Sequence, residues 1–114
     1  MIKMQTNVEC SKEKKDALVK KLSKICASCT GKPETYVMVL LEDDSTIAMG
    51  GESRNAAFVE VKGIGGLTPE VNKKISAETC ALLQAELKID QDAVYMNFTD
   101  IAAKNWGWKG GTFG

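Results

Sequence analysis

The chain has 114 residues, enough for one domain with its own hydrophobic core and too few for two. Hydrophobic residues make up 44% and charged residues 26%, which are ordinary globular values and exclude disordered and fibrous classes. Fifteen basic residues balance fifteen acidic ones, so no basic excess favours nucleic-acid binding. The absence of histidine excludes histidine-based triads and metal ligands. No apolar run approaches the roughly 20 residues of a membrane span, and we expect no signal peptide.

The first half of the chain predicts a strand, a helix and a second strand. Residues 2–8 predict a short strand, and Ser11 is a suitable N-cap for the helix that follows. Gly31 and Pro33 end this helix, and the continuous apolar run 36–41 predicts a buried strand. The apolar residues of the helix recur three or four positions apart: Leu18, Leu22, Ile25, Cys26 and Cys29.

The second half repeats this order. Residues 56–62 predict a strand, and Thr68 with Pro69 has the pattern of a helix start. Residues 94–98 predict the last long strand, and the aromatic tail 106–113 predicts a small hairpin. The apolar stripe of the second helix comprises Val71, Ile75, Leu82, Leu83 and Leu87, interrupted at Glu78 and Thr79.

Two such halves predict an α+β fold made of a duplicated βαβ unit over residues 1–114, a single domain. The strands of each unit pair in parallel, because a helix connects them. The result is a four-stranded mixed sheet with both helices on one face. Since nothing remains in the chain to cover the other face, we expect oligomerisation.

The four cysteines allow more than one interpretation. Cys26 and Cys29 form a C-x-x-C motif, but they fall in the last turns of the predicted helix, where the helix dipole disfavours a thiolate. The favoured interpretation is that they are small buried hydrophobic residues, and a redox pair is the alternative. One close cysteine pair without histidine is too few ligands for zinc, so we expect no metal.

A glycine-rich segment, 63–66, joins a predicted strand to the start of the second helix. This geometry directs backbone N–H groups outward and favours an anion of carboxylate size. It matches neither a dinucleotide-binding motif nor a P-loop. That the glycines serve only the turn is equally compatible with the pattern. Lys32 lies between Gly31 and Pro33, in the tight connection from the first predicted helix to the next strand, and the backbone constraints of this connection fix its position.

Five segments in this order and spacing resemble the macrophage migration inhibitory factor family over the whole chain: Gly31–Met38, Gly50–Gly51, Gly63–Leu67, Val94–Phe98 and Asn105–Phe113. The resemblance implies a homotrimer whose sheets wrap into a central barrel, which would cover the bare sheet face. It also implies keto–enol tautomerisation of 2-oxo acids such as phenylpyruvate, and isomerisation of dopachrome derivatives, without a cofactor.

The resemblance further implies a pocket between subunits. Lys32 would pair with the substrate carboxylate, and the backbone amide of Ile64 would also bind it. The remaining pocket residues implied by the family are Tyr95 from the adjacent subunit, Asn97, Trp106 in the wall, and Trp108 and Phe113 at the rim.

The chain departs from the family at its first residue. Family members expose an N-terminal proline whose amine is the catalytic base, whereas this chain starts Met1-Ile2. We expect the Met1 amine to take that role, although its ordinary pKa of about 7.7–8.0 leaves little free base at pH 7. The alternatives are a native protein with a different first residue, and a trimer that binds ligands or partners without turnover.

Three further expectations concern partners and location. A small 2-oxo acid is the expected ligand, with neither nucleic acid nor membrane as a partner. Receptor binding is left open by the sequence. We expect a cytoplasmic protein, with export by a route that needs no signal peptide as the alternative.

Overall fold

The structure is a computed structural model that describes all 114 residues. Two long helices and four strands make up most of it, and a short two-stranded ribbon closes the chain. In chain order the elements are β1 (Ile2–Thr6), α1 (Lys12–Thr30), β2 (Val39–Glu42), β3 (Ala57–Gly63), α2 (Pro69–Leu87), β4 (Val94–Asp100), β5 (Gly107–Trp108) and β6 (Gly111–Thr112). Neither helix combines the length and apolar character needed to cross a membrane.

The four long strands form one mixed sheet in the order β2-β1-β3-β4. β1 is parallel to β2 and β3 is parallel to β4, while β1 and β3 are antiparallel neighbours. One helix connects the strands of each parallel pair, because the chain must return to the starting end of the sheet and a tight turn cannot span that distance. The predicted duplication of a βαβ unit is therefore confirmed, and the two units meet along the β1–β3 pair.

Local signals in the sequence explain where both helices begin and end. The Ser11 hydroxyl accepts a hydrogen bond from the Lys14 amide at 3.1 Å, and Thr68 does the same for Val71 at 3.2 Å. Gly31 ends α1 in the left-handed conformation, at φ 72°, and its amide donates to the Ala27 carbonyl. These caps confirm the predicted bounds of α1 and the predicted start of α2.

Both helices pack on the same face of the sheet, as predicted. Alternate strand residues point toward them and are fully buried, because side chains alternate between the two faces of a strand. The largest members of this core are Ile2, Met4, Val59 and Val61 from the strands and Leu18, Leu22, Ile75 and Leu83 from the helices. The other face carries a mixture of polar and aromatic residues: Lys3 opposite Glu60, and Phe58 beside Tyr95.

The prediction of a buried strand over 36–41 is wrong in two respects. Residues 34–36 form a 3-10 turn and the strand begins only at Val39. Leu40 is exposed because it lies on the uncovered face of β2, an edge strand, and Tyr36 and Met38, which precede this strand, are exposed as well. The apolar run in the sequence therefore marks an exposed edge of this chain.

The predicted burial of the C-x-x-C cysteines is confirmed, since Cys26 and Cys29 are both buried in the last turns of α1. Burial, together with the Glu78 carboxylate that accepts a hydrogen bond from the Cys29 thiol at 3.1 Å, raises the pKa of Cys29 to about 11. Burial also raises the pKa of Cys26. Thiols in this environment are poor nucleophiles, so the redox interpretation has no support from the fold.

Glu86 on α2 connects the two helices and gives a pH-dependent prediction. Its carboxylate accepts hydrogen bonds from Lys14 at 2.8 Å and Lys21 at 2.9 Å, and these bonds hold the pKa of Glu86 at about 2. A lowered carboxyl pKa stabilises the fold above the unfolded value of 4.5, and this stability is lost as the pH falls toward 2.

We therefore expect Glu86→Gln to lower the thermal midpoint at pH 7, and expect the difference from wild type to stay constant down to the unfolded pKa of 4.5 and to shrink as the pH falls further toward 2. Thermal unfolding followed by circular dichroism across this range measures it. Glu9→Gln is the matched control, because Glu9 is exposed and makes no ion pair. A difference that stays constant with pH would show that the lost interaction is not the carboxylate's charge.

Candidate functional site

A pocket of about 560 Å³ opens at one end of the sheet. The C-terminal end of α1, the connection to β2, the end of β3 and the aromatic tail surround it. Its size suits a small organic ligand. The residues on which the site depends are Met1, Lys32, Tyr36, Ile64, Trp106, Trp108 and Phe113.

The Met1 amine lies in this pocket because β1 is a central strand whose first residue reaches the sheet end. The amine donates a hydrogen bond to the Lys62 carbonyl at 2.8 Å, and the Met1 carbonyl accepts one from the Lys62 amide at 2.9 Å. Burial lowers the pKa of the amine below its ordinary value of 8.0, the charge of Lys32 acts in the same direction, and Cys26 opposes them. The site therefore shifts the amine toward its neutral form, which is the form that can accept a proton.

The glycine loop that follows β3 offers an unused hydrogen-bond donor. The Ile101 amide donates to the Gly63 carbonyl at 2.8 Å and holds the peptide unit between Gly63 and Ile64. In a trans peptide the N–H points away from the C=O, so the Ile64 amide points away from Ile101. It donates to no other group of the chain.

Lys32 reaches this loop from the opposite side of the pocket. The left-handed turn at Gly31 starts the connection, and the Lys32 ammonium donates to the carbonyls of Ile64 and Gly65, the latter at 2.7 Å. A Cβ atom on Gly66 would lie 3.0 Å from Lys32 Cε, so a glycine there leaves room for the lysine. The positive charge of Lys32 thus lies against the loop that carries the free Ile64 amide, an arrangement suited to a carboxylate.

Aromatic side chains form the outer rim of the pocket. Trp108 and Phe113 stack with ring centroids 5.2 Å apart, and the ring of Tyr36 packs nearly perpendicular to both, with centroid distances of 5.7 and 6.0 Å. Trp106 lines the wall below them. The predicted hairpin over 106–113 is confirmed by β5 and β6, which are joined by a turn at Lys109 and Gly110, and it brings Trp108 and Phe113 together.

Sequence reasoning missed Tyr36, because it placed this residue inside a buried strand. The run of apolar residues after Pro33 concealed the 3-10 turn at 34–36. A signal was nevertheless present, since a tyrosine at the start of an apolar run often keeps its polar end in water.

Two of the expected site residues lie elsewhere. Tyr95 and Asn97 are on β4, on the face of the sheet away from the helices, and both are exposed. Tyr95 lines a different, smaller cavity of about 230 Å³, whose wall includes Phe58 and Ile47. A single chain therefore brings together Met1, Lys32, Ile64 and the three tail aromatics without Tyr95 or Asn97.

The chemistry available in the pocket is that of an amine, an ammonium group and backbone amides. The neutral amine can take up a proton, and the ammonium and amide can hold an anion next to it. No group of three or more cysteine, aspartate or glutamate side chains converges where a metal ion could bind.

Comparison with known proteins gives a consistent result. The sequence profile of the macrophage migration inhibitory factor (MIF) family matches residues 1–114. A macrophage migration inhibitory factor homolog of Brugia malayi is 36% identical over 98 residues, which cover 86% of this chain and 85% of the relative. The crystal structure of the homologue from Prochlorococcus marinus superposes with a TM-score of 0.93 at 34% identity, covering 99% of this chain and 98% of that one. The Toxoplasma gondii protein gives a TM-score of 0.94 at 32% identity, covering 98% of each chain.

Proposed function

We propose a tautomerase function for this chain, which belongs to the macrophage migration inhibitory factor family. Its substrates would be small 2-oxo acids related to phenylpyruvate or dopachrome, and its general base would be the Met1 amine. The observation that carries the proposal is that one pocket with aromatic walls is lined by Met1, whose amine has a lowered pKa, by the cation Lys32 and by Ile64, whose amide donates to no group of the chain.

In the proposed reaction, Lys32 and the Ile64 amide hold the substrate carboxylate. The neutral Met1 amine removes a proton from the carbon next to the keto group, and the enol forms when the keto oxygen takes up a proton from a water molecule; the protonated amine then gives its proton to the solvent. In the reverse direction the protonated amine returns the proton to carbon. The aromatic rim of Tyr36, Trp108 and Phe113 would hold the substrate's ring and exclude water.

A homotrimer is part of the proposal, because it supplies what a single chain lacks. Exposed apolar side chains stand at both edges of the sheet: Tyr36, Met38 and Leu40 near β2, and Tyr95 on β4. Joining one edge to the opposite edge of the next copy makes a head-to-tail contact, which closes into a ring when the rotation allows it. Such a contact would bring Tyr95 and Asn97 of one subunit toward the pocket of its neighbour.

The expected result in solution is a particle of three 12.4 kDa chains, measured by sedimentation equilibrium. Tyr95→Asp should weaken the assembly, because it would bury a charge in an apolar contact. Glu13→Gln, which changes an exposed charge on α1, on the opposite face of the sheet from Tyr95, serves as the control. A stable monomer in the wild type would contradict the trimer.

A binding trimer without turnover is the second candidate, and the identity of Met1 favours it. A primary amine replaces the secondary amine of the family's N-terminal proline, and loss of a well-placed base costs about 10²- to 10⁴-fold in rate. This candidate predicts that a Met1→Pro variant gains activity. Receptor binding and cytoplasmic or exported location stay predictions from the resemblance.

The direct test is the enol-to-keto conversion of phenylpyruvate by protein whose first residue is verified by intact mass. Turnover well above the buffer rate, with Met1 in place, is the expected result. Binding of phenylpyruvate without turnover would instead support the binding trimer.

A further inference from the structure

An acidic side chain holds one of the peptide units that build the carboxylate corner. Asp100 is the last residue of β4 and pairs with Gly63 in the β3–β4 register, where the glycine loop leaves the sheet. Its Oδ1 accepts a hydrogen bond from the Gly65 amide at 2.8 Å. We propose that Asp100 is a positioning residue that orients the Ile64–Gly65 peptide unit and, through that unit, the Lys32 ammonium.

The two contacts occupy opposite ends of the same peptide unit. The Ile64 carbonyl accepts from Lys32, and the Gly65 amide, which belongs to the same unit, donates to Asp100. The C=O and N–H of a trans peptide point in opposite directions, so the unit lies between a positive and a negative side chain with its dipole aligned. Reversing the unit would turn the carbonyl toward the carboxylate and the amide toward the ammonium, which is repulsive at both ends.

The loop needs such a contact because its backbone does not define this orientation. Gly65 and Gly66 have φ values of 67° and 78°, in a region that glycine enters and leaves at little cost. The preceding peptide unit is held by the backbone bond from Ile101 to Gly63, but no backbone bond holds the Ile64–Gly65 unit. Asp100 supplies the missing restraint from a sheet strand, which is more rigid than the loop.

The first consequence can be measured without any ligand. Amide hydrogen exchange of Gly65, followed by NMR on the full chain, should become roughly 10-fold faster in Asp100→Ala, because the amide loses its acceptor. Asp44→Ala, which removes an exposed carboxylate elsewhere, should leave Gly65 unchanged. Equal exchange of Gly65 in wild type and Asp100→Ala would overturn the proposal.

The second consequence rests on the proposed function, because it takes a 2-oxo acid as the ligand. Asp100→Ala should weaken phenylpyruvate binding, measured by calorimetry, about 3- to 10-fold, while kcat changes little. Asp100→Asn keeps an acceptor oxygen and should recover part of the affinity. In a Lys32→Met background, Asp100→Ala should have no further effect, because Asp100 acts through Lys32.

If Asp100→Ala weakened phenylpyruvate binding equally with Lys32 present and with Lys32 replaced by methionine, the effect would be a general structural one, and the proposal would be overturned. Failure of the tautomerase function gives a different pattern. The wild-type protein would then show no turnover, but Asp100→Ala would still weaken phenylpyruvate binding when Lys32 is present and not when it is replaced by methionine. This result would contradict the tautomerase function and support the role of Asp100. If phenylpyruvate does not bind at all, the exchange of Gly65 decides the question.

Discussion

A single glycine added before Met1 is expected to lower kcat/KM for phenylpyruvate by about 10²- to 10⁴-fold, the usual effect of losing a positioned general base. The extension converts the Met1 amine into an amide, which cannot accept a proton. The new amine stands one residue away, a Cα separation of about 3.8 Å. The new amine therefore does not occupy the position from which the Met1 amine donates to the Lys62 carbonyl.

A glycine added after Gly114 is the matched control, since it lengthens the chain equally and leaves the amine free. Thermal unfolding should show that both extended proteins stay folded. Undiminished turnover of the N-terminally extended protein, with its mass verified, would mean that the Met1 amine is not the base.

The pH profile gives a second view of the same group. Burial lowers the pKa of the Met1 amine below 8.0, and in the proposed mechanism the neutral amine is the active form. Activity of the wild type should therefore fall as the pH drops through that lowered pKa and should level off above it, with the inflection of kcat/KM below pH 8.0. An inflection at or above 8.0 would contradict the proposed effect of burial.

Replacing Lys32 by alanine is expected to raise KM for phenylpyruvate about 10- to 100-fold, because a hydrogen bond between charged groups contributes about 1.5–3 kcal/mol. The KM for the methyl ester of phenylpyruvate should change little, since the ester has no carboxylate. Lys32→Met, which keeps the length of the side chain, should behave like the alanine variant if the charge is what matters. Steady-state kinetics with both substrates measures these differences.

Lys24→Ala is the control for this substitution, because Lys24 is an exposed lysine on α1, the helix that precedes Lys32, and makes no ion pair. Lys32 also lowers the pKa of the Met1 amine, so its removal should move the inflection of the pH profile upward. An equal rise in KM for the acid and the ester would remove Lys32 from the carboxylate site.

Much of the fold could be predicted because its signals are local. The caps at Ser11 and Thr68 and the left-handed glycine at position 31 act within one helical turn, so neighbouring residues are enough to place the helix ends. The order of strands and helices then limits the topology, since parallel strands need a long connection. The resemblance added the pocket residues, which periodicity alone does not identify.

The candidate site depended more on distant contacts. The glycine loop predicted an anion corner, but the sequence does not show that Lys32 donates to its carbonyls, because 32 positions separate Lys32 from Ile64. Tyr36 was missed for a related reason: the apolar run predicts a strand from residue 36 onward, whereas the chain first forms a 3-10 turn over 34–36 and pairs with β1 only from Val39. The exposure of β2 is a property of strand order.

The sequence by itself determined the secondary structure, the duplicated unit and the chemical groups available. Only the tertiary structure decided that the Met1 amine lies beside Lys62, partly buried and near the charge of Lys32, and that Asp100 reaches the Gly65 amide. The physical reason is that the pKa of an amine and the orientation of a peptide unit depend on burial and on charges within a few ångströms. Those neighbours come from strands and loops far apart in the chain, and only their packing brings them together.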